Sequence, residues 1–260
     1  MTAQLKSSTT EDGTMVLLIS NPSQRNALGP DIYAAGIETL NRAGTSAEVR
    51  SVVLTGEGPW FCAGGSLQRL QANREREPEY QAQSIESLHN WIDAMRAFPK
   101  PIIAAVEGAA AGAGFSLTLA CDFIVAARDA IFAASYSNIA LSPDGGMSWH
   151  LSQFLPRQIV SEWMMLGERI GAERLHALGV VNRLAESGQA LNDALALAAQ
   201  LNGRAPNALA SAKELLNEGR GASLSRQLDA ERDHFVRNLH HANAGIGIAA
   251  FLAKEKPRYA

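Results

Sequence analysis

Apolar runs alternate with amphipathic stretches through the first half of the chain. Four runs, Met15–Ser20, Ser51–Thr55, Ile102–Val106 and Phe123–Ala127, are short, partly β-branched and bounded by Gly, Pro, Asp or charged residues. That pattern predicts strands. Between them Pro30 opens a helix carrying Ile32, Ala35, Ile37 and Leu40 as far as Ala43, with proline at the first-turn position that helices tolerate. A longer polar helix is predicted from Pro78 to Phe98, with Ile85, Leu88, Ile92 and Met95 at helical spacing, stopped by Pro99 and Pro101. Strands separated by helix-length connections favour parallel crossovers, hence an α/β fold around a buried sheet.

From Gln189 onward the pattern turns almost purely helical: Ala190–Leu201, Asn207–Gly219, Leu224–His240 and Gly245–Ala253. Asn202–Pro206 is the best candidate boundary. On pattern alone, such a tail is either a docking surface for another subunit or a lid on its own core.

Composition narrows the class. In 260 residues, 47% are apolar and 19% charged, the balance of a globular chain. A chain this long removes roughly 70–75% of its unfolded surface from water, so it needs no disulfide or metal staple. The net charge of −3, with no Lys/Arg block, argues against nucleic-acid binding. Cys62 and Cys121 stand far apart and read as reduced, buried thiols; no further Cys or His lies at metal-ligand spacing. MTAQLKSSTTEDG lacks the apolar segment of a secretory signal. The uncharged run Gly108–Cys121, at 14 residues, is too short to span a bilayer. The expectation is a soluble, cytoplasmic protein without membrane association.

Two glycine clusters follow strands. One is Phe61-Cys62-Ala63-Gly64-Gly65-Ser66-Leu67; the other runs Gly108-Ala109-Ala110-Ala111-Gly112-Ala113-Gly114-Phe115 and opens a helix. Tight turns at helix starts expose unpaired N–H groups and the positive end of the helix dipole. Neither cluster contains a P-loop, and the GxG at 112–114 lacks the rest of a dinucleotide fingerprint. Each alone is equally compatible with close helix–sheet packing. Together they allow one N–H from each to converge on a single oxygen, as in an oxyanion hole. In Leu141-Ser142-Pro143-Asp144-Gly145-Gly146, the aspartate reads locally as a turn or N-cap residue.

Four segments in order resemble the enoyl-CoA hydratase/isomerase (crotonase) superfamily over essentially the whole chain: Asn21-Pro22-Ser23-Gln24-Arg25-Asn26-Ala27-Leu28, Phe61–Leu67, Gly108–Asp122 and Gly247–Lys254. The resemblance implies a spiral of ββα units in residues 1–204, carrying an acyl-CoA site, and a helical oligomerisation region in 205–260. It implies a homotrimer or dimer of trimers, and no separate cofactor, coenzyme A being part of the substrate. By position, the thioester carbonyl would be polarised by the backbone N–H groups of Gly65 and Ala113. Coenzyme A would lie along Ala27 and Ala63, with Arg25 as a phosphate partner. Leu67 would line the site, and Phe251 and Lys254 would reach a neighbouring subunit's coenzyme A.

The resemblance also marks a departure. Hydratases of the family use two glutamates; this chain has Ser116, five residues before Cys121, and Tyr136, four after Phe132. Losing both removes assistance worth roughly 10²–10⁴-fold. Asp144, twelve residues after Phe132, occupies the place where other branches keep their one acid. Tyr136 and Ser116 then become candidate substrate-contacting residues, and His150 a minor catalytic candidate. Tyr136, Met147 and Trp149 are expected to make Asp144's surroundings partly apolar, and the polar stretch from Gln68 to Phe98 to flank the acyl pocket as one long helix. The reading is an acyl-CoA double-bond isomerase with Asp144 as acid and base. The alternatives are a hydratase or hydrolase in which Asp144 activates water, and a non-catalytic CoA-binding or assembly protein.

Overall fold

A computed structural model describes residues 3–259. In chain order its elements are β1 (Gln4–Thr9), β2 (Thr14–Ser20), α1 (Pro30–Thr45), β3 (Ser51–Gly56), α2 (Leu67–Asn73), α3 (Pro78–Ala97), β4 (Ile102–Val106), β5 (Ala109–Ala111) and α4 (Ala113–Ala120). There follow β6 (Phe123–Ala127), β7 (Ile131–Ala133), α5 (Met147–Phe154), α6 (Arg157–Leu166), β8 (Arg169–Gly171), α7 (Ala172–Ala177), β9 (Arg183–Ala185) and α8 (Ala190–Asn202). The chain ends in α9 (Pro206–Gly219), α10 (Leu224–Leu239) and α11 (Ala242–Ala253).

The main sheet has the order β1-β2-β3-β4-β6-β9. β1 is antiparallel to β2 and every other pairing is parallel, with Leu17, Leu54, Ala104 and Ile124 in register across four strands. The central strands β3, β4 and β6 are buried on both faces, which is why they are continuous apolar runs. Val52, Leu54, Ile102, Ala104 and Ile124 pack toward α1 and α3, whereas Val53, Ile103, Ala105 and Val125 meet Ala190, Ala194 and Leu197 of α8. A second sheet, β5-β7-β8, is extended by single bridges from Cys62 to Ala110 and from Gly65 to Leu28. Short β5, β7, β8 and β9, and the polar edge strand β1, carry too few alternating positions to be read from sequence.

Three helices follow α8. Lys213 of α9 ties them to the core by an ion pair of 2.8 Å with Asp122, whose carboxylate also accepts from the Ile102 N–H. Burial raises the Asp122 pKa and Lys213 opposes it. The stretch expected to form one helix from Gln68 to Phe98 is two, α2 and α3. Proline disfavours helical geometry in the residue before it, and Glu77 is extended ahead of Pro78. Among the described residues no helix is long and apolar enough to cross a membrane.

Candidate active site

β3 and β4 are parallel neighbours, so the loops leaving their carboxyl ends emerge side by side. The two glycine clusters occupy these loops. Cys62 N–H donates to the Ala109 carbonyl at 3.0 Å, and Ala111 N–H to the Cys62 carbonyl at 2.9 Å. This short ladder brings the bends to close approach. Gly64 has φ +87°, and a Cβ there would stand 2.6 Å from the Ala111 oxygen and 3.2 Å from the Ala113 nitrogen. Among the described residues the Gly65 N–H donates to no backbone carbonyl, and the Ala113 N–H opens α4, where no intrahelical acceptor exists. Both residues line one cavity of about 510 Å³, with Asp144 and Tyr136 on its wall.

Asp144 does not cap a helix; Gly146 holds that position before α5. The carboxylate instead accepts a hydrogen bond of 2.6 Å from the Tyr136 hydroxyl. Burial raises the Asp144 pKa above its ordinary 3.8, and the Tyr136 bond pulls it back. Burial and the neighbouring carboxylate both raise the Tyr136 pKa, so the phenol stays a donor. Ser116 is fully buried and donates to the Asp144 carbonyl at 2.8 Å. Gly145, at φ +58°, has no room for a side chain: a Cβ would lie 2.8 Å from the Ser116 Cβ.

The two positions where the family resemblance would place glutamates, Tyr136 and Ser116, therefore both grip Asp144, one through its carboxylate and one through its backbone. Sequence reasoning missed this pairing. The spacing of Tyr136 and Asp144 on one loop after β7 was the available signal. Ser116, expected to contact substrate, is buried, supports the turn and is not among the residues lining the cavity.

Ala63 and Leu67 also line the cavity, whereas Ala27 is buried and Arg25 is exposed beside it, its guanidinium 5.4 Å from the centre of the Trp60 ring. The Arg25 carbonyl accepts from Ala63 N–H at 3.0 Å, joining the two segments. Phe251 and Lys254 sit exposed on and just after α11, away from this cavity's wall. Met147 is buried in the core, and Trp149 and His150 are corrected: neither lines the Asp144 cavity. Arg96 and Arg220 both lie over the Trp149 ring, at 4.6 and 5.1 Å from its centre, while buried His150 faces a second cavity and its pKa is lowered to about 4, mainly by burial and then by those arginines. Cys62 and Cys121 are free thiols, and burial pushes Cys62 up to about 12. Tyr33, Arg69 and His89 line the site, and none stood out in the sequence.

The parallel sheet, the second layer of short strands and the terminal helices are those of the crotonase fold. A crystal structure of an enoyl-CoA hydratase from Polaromonas sp. JS666 superposes with a TM-score of 0.97 at 65% identity, covering 98% of this chain and 99% of that one. A 1,2-epoxyphenylacetyl-CoA isomerase of Escherichia coli (strain K12) is 31% identical over 250 residues, 96% of this chain and 95% of that protein. A 2,3-dehydroadipyl-CoA hydratase of the same organism is 30% identical over 245 residues, 94% of each. The family model described as enoyl-CoA hydratase/isomerase matches residues 9–260. The chain belongs to the enoyl-CoA hydratase/isomerase family of acyl-CoA enzymes.

Proposed function

We propose that the protein shifts a double bond in an enoyl-CoA thioester. The Gly65 and Ala113 N–H groups hold the thioester oxygen as negative charge develops there, an effect worth about 3–4 kcal/mol per donor. With a 3-enoyl substrate, Asp144 removes a proton from C2, and the electron pair delocalises through the enolate. The proton held on Asp144 exchanges with solvent, Asp144 then delivers a proton to C4, and the double bond lies between C2 and C3. No atom is gained or lost, and one carboxylate suffices because the same group acts as base and then acid. The observation that carries this reading is a single acid on the wall shared by the two amides, in surroundings that raise its pKa.

Incubation with 3-enoyl-CoA tests it: the conjugated chromophore should grow with no change in mass. Hydration of a 2-enoyl-CoA, with mass rising by one water and the chromophore lost, favours the second reading, in which Asp144 activates water. The hydratase name of the Polaromonas structure supports that alternative. Tight CoA-ester binding with no turnover favours an assembly role.

Assembly with further copies belongs to the same proposal. Phe235, Phe251 and Leu252 on α10 and α11 are 69%, 83% and 77% exposed, too apolar a face to leave in water. Sedimentation of the full chain should give a trimer or hexamer, and a monomer at micromolar concentration contradicts this.

A further inference from the structure

The cavity carries guanidinium charges that the isomerisation does not use: exposed Arg169 at its rim and partly buried Arg69. Arg69, on α2 four residues beyond Gly65, lines the same wall as Asp144. Among the described residues no carboxylate lies within ion-pair distance of it, and its Nε is buried without a hydrogen-bond partner. The guanidinium is seated against Gly29, where a Cβ would come within 2.7 Å of Nη1. Buried Tyr33 lines the same cavity; burial raises its pKa and Arg69 opposes that rise. Arg69 therefore faces the cavity that holds Asp144 and the two amides. Among the described residues Asp144 is the one acid lining the cavity, and it is engaged by Tyr136.

A partly buried guanidinium without a counter-ion is costly unless a ligand completes it. Arginine presents a planar fork of donors that matches a carboxylate. We propose that the acyl group of the substrate carries a free carboxylate away from the thioester, and that Arg69 receives it. This rests on the acyl-CoA reading of the same cavity, and it names the substrate class that reading leaves open.

Binding of non-reacting saturated thioesters tests the site independently of turnover. Dicarboxylic thioesters such as hexanedioyl-CoA are compared by calorimetry with monocarboxylic counterparts such as hexanoyl-CoA, in a series from butanoyl to octanoyl length. At the best-fitting length the diacid thioester should bind about 10- to 100-fold tighter. Its terminal methyl ester, same in length but uncharged, should lose that advantage on the unaltered protein. Arg69→Gln should bind diacid and monoacid with the same Kd, and Arg69→Lys should recover part of the preference. Equal Kd values throughout the series overturn the proposal. So does an Arg69→Gln that weakens both classes by the same factor, which would assign Arg69 to the coenzyme A moiety. If the diacid binds tighter yet no unsaturated diacid is isomerised, the carboxylate site stands and the isomerase reading falls.

Discussion

Replacing Tyr136 by phenylalanine removes one oxygen and leaves the ring that helps bury Asp144. The lost interaction is a 2.6 Å hydrogen bond from a phenol that is 8% exposed to a half-buried carboxylate. A hydrogen bond to a charged group contributes about 1.5–3 kcal/mol. Since about 1.4 kcal/mol corresponds to one pH unit, the Asp144 pKa should rise a further 1 to 2 units or so in the variant. Asp144 works as a base, so activity falls as pH drops through its pKa, and the acid limb of the kcat/KM profile should move up by that amount. The assay is the growth of the conjugated thioester chromophore from a 3-enoyl-CoA at a series of pH values. A variant slowed equally at every pH, with its midpoint unmoved, would show that Tyr136 acts through shape alone and would refute the coupling.

Asp144→Asn should be inactive yet more stable at neutral pH. The raised pKa means that the folded chain disfavours the charged form, so the wild-type deficit in urea unfolding should close as pH falls through the folded pKa. Gly64→Ala should lower kcat about 10²- to 10³-fold with near-ultraviolet circular dichroism retained, because its Cβ pushes the two amide-bearing bends apart. A rate unchanged there would mean the bends are not set by their contact. His150, lowered from 6.5 to about 4, is neutral in the fold and protonated more readily when unfolded. Stability should therefore be lost between pH 6.5 and 4, by about 3 kcal/mol in full, and His150→Phe should flatten that slope in chemical denaturation.

The central strands β3, β4 and β6 were legible because burial on both faces leaves no polar position to interrupt them, as in Ile102–Val106 and Phe123–Ala127. The helices α1 and α8–α11 were legible from their periodicity and bounding prolines and glycines. The second sheet was not: Ala109–Ala111 is three alanines inside a glycine cluster, and only pairing with Ile131–Ala133 makes it a strand. At the site, the glycine clusters announced exposed amides, but their meeting depends on the parallel order of β3 and β4. The links from Asp144 to Tyr136 and Ser116 depend on a turn that folds back on α4. Arg69 was invisible for another reason: a charged residue on a short polar helix reads as solvated until its unpaired, partly buried setting is seen.

Proton traffic at one side chain tests the central claim most directly. The wild type and Asp144→Asn are each incubated with 3-enoyl-CoA in deuterated water, and deuterium at C2 and C4 is followed by nuclear magnetic resonance. The account predicts label entering at both carbons with the wild type and a loss of about 10²-fold or more with Asp144→Asn, while binding of a saturated thioester is retained. Label entering at the wild-type rate in that variant would contradict it.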